Sequence, residues 1–304
     1  MTTGTKSHHA PGILSPGRAE PPDASSRGWA SALRQAAASD VPRHILLALG
    51  AIVMLAPFAW MVFGSFKPDD EIYNSSLLPQ HPTFDAYHRV FDTVPMGRFF
   101  LNSVAVTGLI FLGQVLLAVP AAYALARMRF RGSRLALGLV LFATMLPMQV
   151  VAVPLYLLFA KAGLLDNRLS LISPFLASAF GVFLLRQFFL GIPQNVLDAA
   201  RLDGASNWTT VWRIVLPMAR PALTAFAVFS IVSHWNDYFW PSLVLSSDDA
   251  ATVPYGISAF ANSESNDFAA QMAAATLAVL PLVVGFLLAQ RHFVRGLVLS
   301  NTPD

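Results

Sequence analysis

The chain has 304 residues, of which 55% are hydrophobic and 12% charged, against about 45–50% apolar and about 25% charged in soluble domains. That balance leaves too little polar surface for a water-soluble fold and points to a multi-spanning membrane protein. The absence of cysteine excludes disulfides, thiolate metal sites and cysteine nucleophiles, and a net charge of +3 carries no electrostatic footprint for nucleic acid.

Residues 1–42 are rich in Pro, Gly, Ser and Ala and have no early apolar run, so they do not read as a secretory signal. They are expected to form a disordered cytoplasmic tail. His8 and His9 are adjacent there, a pair more often solvated than metal-bound.

From residue 43 the chain alternates apolar windows and polar connections. A bilayer core of about 30 Å needs roughly 20 apolar residues in a helix. Windows near 44–66, 99–126, 136–160, 170–190, 221–245 and 269–290 meet that need, and open sheet cannot span lipid. The expected fold is therefore an all-α integral membrane protein with six transmembrane helices over 43–298, followed by a short cytoplasmic tail, 299–304. Pro57, Pro120, Pro147, Pro154, Pro174 and Pro281 lie inside the windows and predict kinks. The N-terminal segment, the second and fourth connections and the C-terminal end hold 15 of the 20 basic residues. Because basic residues favour the cytoplasm, both termini are expected inside.

The fourth connection, 193–217, is polar and charged between two apolar spans. Pro193 suits a helix start, and Val196, Leu197 and Ala200 continue an apolar stripe. Asp203-Gly204 marks a turn. Ser206 is placed to cap a second helix, with Trp208, Val211, Trp212 and Val215 as its stripe, and Pro217 and Pro221 lead into the fifth span. The residues alone leave two readings open: an amphipathic hairpin resting on its own membrane domain, or a docking surface whose small residues admit a partner backbone.

The fifth span contains His234, Trp235, Asn236, Asp237, Tyr238 and Trp240. Ionisable groups within a span cost about 2.5–3.5 kcal/mol and normally face a cavity or a partner. Aromatic faces beside amide and carboxylate groups suit a sugar, but the same groups can instead bond to neighbouring helices. Gln114, Gln149 and Asn102 read as interhelical hydrogen-bonding residues, and Arg186 as a snorkelling side chain.

The run "DAARLDG", nine further residues and "IVLP" resembles the EAA loop of ABC importer permeases at every spacing. Asp198, Ala199, Ala200, Gly204, Ile214, Leu216 and Pro217 occupy its defining positions, with Asp203 and Ala205 flanking Gly204; Asp198 stands where the family has glutamate. "SFKPDDEIY", "LLPQHPTFDAYHRVF", "FFLNSVAVT", "HWNDYFWPSLV" and "QRHFVRGL" are similar to the carbohydrate-type permeases. The final "VLSNTPD" departs from that family's usual tail. The resemblance implies that 193–217 forms coupling helices seated on an ATPase subunit dimer, which holds ATP and Mg; this chain binds no cofactor. It also implies a second permease subunit, an extracytoplasmic solute-binding protein and a sugar as cargo. The chain lacks a Gly-x-x-x-x-Gly-Lys-Ser/Thr phosphate loop, so ATP would be handled elsewhere. The competing class is a stand-alone secondary transporter with Asp237 or His234 as a proton relay.

Overall fold

The computed structural model describes the backbone of residues 25–74, 76–261 and 267–298, and side chains within 41–288 of that set. Among the described residues the regular structure is helical. Residues 1–24, 299–304 and the His8-His9 pair lie outside them.

The chain divides into two compact units, Met1–Phe58 and Ala59–Asp304. Helix α1 (Ser25–Gly64) begins well before residue 43 and runs past Phe58, so 25–42 are helical where a disordered tail was expected. The stretch "WASALRQAAASD" explains this: Ala, Leu, Arg and Gln are strong helix formers. They extend a helix already nucleated by the apolar run behind them. Val41–Gly64 is long and apolar enough to cross a membrane, and Ile45, Leu46, Ile52, Val53 and Met54 are exposed on it, as lipid-facing residues are.

The second unit follows with α2 (Asp85–Thr93), α3 (Met96–Arg127), α4 (Ser133–Met145), α5 (Met148–Lys161), α6 (Arg168–Ile172), α7 (Ala179–Leu190) and α8 (Gln194–Leu202). Next come α9 (Asn207–Thr209), a π-helical segment Thr210–Val215, α10 (Leu216–Met218), α11 (Arg220–Trp235), α12 (Phe239–Val244), α13 (Val253–Ala261) and α14 (Phe268–Val298). Helix α3 is the pillar of this unit, because its length takes it through three successive apolar clusters. Met96 and Phe99 pack with Val90, Val253, Phe260 and Ala273. Val106 and Ile110 pack with Phe159, Leu171 and Trp240. Ala118, Val119, Ala122 and Tyr123 pack with Leu185, Phe189, Val211, Val215 and Phe226.

Four helical segments could each cross a membrane: Val41–Gly64, Met96–Arg127, Arg168–Leu190 and Phe268–Leu288. Two further helix pairs are together long and apolar enough to cross but are sharply bent. Ser133–Met145 and Met148–Lys161 meet at 97°, and Asn207–Met218 and Arg220–Val244 at 82°, giving up to six. The third window was expected as one kinked helix and is instead two helices. Leu146 is extended (φ −78°, ψ 116°), as a residue before proline prefers, and Pro147 (φ −71°, ψ 141°) opens α5. Pro57, Pro120, Pro154 and Pro281 remain inside continuous helices.

Candidate functional site: the 193–217 hairpin and the fifth-span break

The hairpin starts one residue later than its sequence suggested: Pro193 is the residue before α8, not its first turn. Its turn forms because Gly204 adopts φ +75°, a conformation that costs other residues about 1–2 kcal/mol. Ala205 N–H then donates to Ala200 O at 2.9 Å and Gly204 N–H to Arg201 O at 3.0 Å, the paired bonds of a Schellman closure. Ser206 caps the next helix, accepting from Thr209 N–H at 3.1 Å.

The two stripes divide the hairpin into faces. Leu197, Ala200, Val211 and Val215 are buried, and all but Ala200 join the cluster at the ends of α3 and α7. Trp212, Ile214 and Leu216 are half-buried, while Pro193, Pro217 and Trp208 are exposed. Trp208 stacks at a tilt on Trp212, centroids 5.4 Å apart. Asp198, Ala199, Asp203 and Gly204 are exposed, and Leu202 is 90% exposed. Among the described residues, Asp198 bonds within its own helix, accepting from Gln194 at 3.0 Å and Arg201 at 3.3 Å. The hairpin thus rests on its own membrane domain through one face, as the first reading of the sequence expected, and leaves the other face exposed.

Arg127, noted in the sequence only as part of a basic connection, fastens this element. Its guanidinium donates to Phe189 O at 2.9 and 2.6 Å, to Leu190 O at 3.1 Å, and to Ile192 O. Phe189 and Leu190 lie in the last turn of α7, where carbonyls lack the i+4 donors of a continuing helix, and Ile192 follows it, so the end of α3, the end of α7 and the start of the hairpin are tied together. At the other end a π-helical turn, Thr210–Val215, precedes Pro217, which lacks the N–H that the Arg213 carbonyl would accept. Buried Ala219 is the single residue between the bent pair.

In the fifth span, α11 stops at Trp235 and α12 starts at Phe239. Three members of the predicted cluster are engaged by neighbouring elements. Trp235 Nε1 donates to Ala278 O at 3.1 Å, and buried Trp240 Nε1 donates to Ser170 O at 2.8 Å. His234 Nε2 lies 3.1 Å from Gln114 Nε2, with its ring 4.8 Å from that of Phe175. Gln114 also donates to Phe175 O at 2.8 Å and accepts from Ser230 at 2.6 Å. The other three lie at the break. Asp237 accepts from Trp240 N–H at 3.2 Å, Asn236 donates to Val232 O at 2.8 Å, and Tyr238 is exposed. Asn102 bonds the carbonyls of Asp249 and Ala251 and Arg186 that of Leu125, whereas Gln149 is exposed. Among the described residues no group of three His, Asp or Glu could hold a metal ion.

Residues 114–298 match the family described as binding-protein-dependent transport system inner membrane component. The chain belongs to that family. It is 34% identical over 280 residues to the diacetylchitobiose uptake system permease protein NgcG of Streptomyces coelicolor, covering 89% of this chain and 92% of that one. It is 32% identical to the sn-glycerol-3-phosphate transport system permease protein UgpE of Yersinia pestis, covering 86% and 97%. Among solved structures, it resembles a bacterial ABC transporter involved in import of the acidic polysaccharide alginate. That match has a TM-score of 0.75 and 25% identity, covering 86% of this chain and 98% of that one. An inner membrane component of a binding-protein-dependent system does not work alone, so the stand-alone relay through Asp237 or His234 is set aside.

Proposed function

We propose that this permease subunit carries a sugar or related carbohydrate across the cytoplasmic membrane. It would work with a second permease chain, an extracytoplasmic binding protein and a dimer of separate ATPase subunits that hold ATP and Mg. The relatives named for diacetylchitobiose, arabinooligosaccharides and lactose support the cargo class. The hairpin 193–217 is the coupling element, and the observation that carries this is its two-faced burial. Leu197, Val211 and Val215 transmit force into the cluster at α3 and α7, while Asp198, Ala199, Leu202 and Gly204 remain open to a partner. The one-residue joint at Ala219 would convert a push on the hairpin into movement of α11.

Within the fifth span, Trp235, Trp240 and His234 maintain the bundle, and Asn236, Asp237 and Tyr238 at the helix break are the part facing the path. Breaks of this kind expose backbone groups that have to line a cavity or be buried in protein. Replacing Gly204 with Asp tests the coupling role. Apart from its two chain neighbours, no atom of the described residues lies within 4 Å of the position of an added Cβ, so the variant is expected to insert and keep its partner permease. It should lose the copurifying ATPase and transport, because an unpaired charge at a docked face costs several kcal/mol. Full retention of ATPase and transport would remove the coupling role from this hairpin.

A further inference from the structure

At the loop end of α3 lies a cavity of about 640 Å³ lined by Tyr123, Arg127, Arg129, Gln194, Arg201 and Asn207. Three guanidinium groups from two chain segments converge on it, and their charge is poorly compensated. Arg127 is held rigid by carbonyls, but its Nη1 has a single long contact, 3.4 Å to Gln194 Oε1. Among the described residues Arg201 has one carboxylate partner, Asp198, at 3.3 Å, with both side chains more than half exposed. Arg129 is exposed and has no carboxylate within salt-bridge distance among the described residues. Like charges drawn together repel, and an oxyanion relieves that repulsion. The planar fork of arginine matches phosphate oxygens in pairs, and the amides of Gln194 and Asn207 add neutral polar groups.

We propose that this cavity binds a phosphate group, carried either by an anionic lipid headgroup or by a free phosphate. The bound group would join α3 to both helices of the hairpin, through Arg127 and Arg129 on one side and Arg201 and Asn207 on the other. The site does not depend on the coupling role: a hairpin that docks an ATPase could lack it, and a hairpin that docks nothing could hold it.

The test uses the full chain, purified with its copurifying subunits, and the double variant Arg129→Gln/Arg201→Gln. Arg127 is left intact because it closes the end of α7. A charge-matched control, Arg131→Gln/Arg134→Gln, changes residues that do not line the cavity. Inorganic phosphate is titrated in detergent by equilibrium dialysis. Lipid retention is read by native mass spectrometry from nanodiscs of phosphatidylcholine with or without phosphatidylglycerol. Retained phosphatidylglycerol without phosphate affinity assigns the lipid source, and phosphate binding in detergent assigns the free ion. In either case the double variant should bind at least about tenfold more weakly, since charge-assisted bonds are lost, and the control should match the native chain. Binding of neither probe, or equal binding by the double variant, overturns the proposal. So does loss of a copurifying subunit with lipid and phosphate binding unchanged, which would assign the cavity to a protein carboxylate.

Discussion

Gly204 combines a left-handed backbone with open space around it, so two requirements for glycine can be separated by experiment. If only the turn matters, Gly204→Asn should be mild, since Asn tolerates this region, and Gly204→Ala should cost about 1 kcal/mol of local stability. If a partner backbone approaches the position, the order reverses: the larger Asn should release the ATPase subunit while Ala retains more of it. Copurification of ATPase with each variant reads the order directly. A second residue-scale prediction concerns Arg89, which lies 2.7 Å from Asp69 and 2.7 Å from Asp267. Burial opposes ionisation of Asp267, but hydrogen bonds from Arg89 and Ala270 N–H, with the charge of Arg89, hold its carboxyl below the usual value. A depressed carboxylate stabilises the fold above its unfolded-state pKa and loses that contribution as pH falls through the lowered value. Asp267→Asn should therefore lower thermal stability at neutral pH by about 1 kcal/mol, a modest figure because Arg89 is partly exposed. The gap from the native chain should persist down to about pH 4 and close below it, as thermal unfolding in detergent would record.

At the scale of elements, the crossing of α7 and α11 depends on Gly181. A Cβ there would lie 2.3 Å from the tip of the Phe226 ring. That ring is fully buried and packed against Phe111 and Phe180, so it has little room to yield. Gly181→Ala should cost about 1–3 kcal/mol by overpacking. Adding Phe226→Leu should restore part of it, giving a double variant more stable than the sum of the two changes; additive losses would show that the crossing relaxes in some other way. The sequence made the existence of such elements legible, because hydrophobic length marks spans and Asp203-Gly204-Ala205-Ser206 spells a turn and a cap. It also marked Pro147 as a defect, but how far the chain turns there is set by tertiary packing. The HWNDYFW cluster was visible as polar, yet which of its groups reach other elements depends on the carbonyls of Ser170 and Ala278, far away in sequence. Lys67 and Glu71 look like solvated charges in the string but are buried. Lys67 bonds the Ser76 carbonyl and Glu71 accepts from Gln80 and His81 N–H, closing a local loop that no periodic pattern announces.

For the whole molecule, contacts between distant connections support the proposed six-span topology. Arg98 pairs with Asp249 at 2.5 Å. Asp166, left-handed at φ +56°, accepts from Ser246 and Ser247 N–H; these bonds, the Ser246 one foremost, hold its carboxyl below the usual value despite opposing burial. Arg89 reaches Asp267. The connections before α3, after α5, after α12 and before α14 therefore share one end of the Ala59–Asp304 unit. The connections after α3 and after α7 meet at Arg127. On the proposed topology each passage from the Arg127 end back to the first end is a single crossing, made once by the bent pair of α4 and α5 and once by the pair ending in α11 and α12. The same proposal makes the Arg127 end the cytoplasmic one, because Arg127, Arg129, Arg131, Arg134, Arg201, Arg213 and Arg220 gather there and basic residues favour the cytoplasm. Since the chain has no cysteine, single cysteines can be introduced without background. A membrane-impermeant thiol reagent applied to intact cells should label Ser247→Cys, beside Asp249, and spare Ser133→Cys, beside Arg131, until the membrane is permeabilised. Labelling of Ser133→Cys alone would invert the topology, and labelling of both in intact cells would mean that the α4–α5 pair turns back within the membrane instead of crossing it.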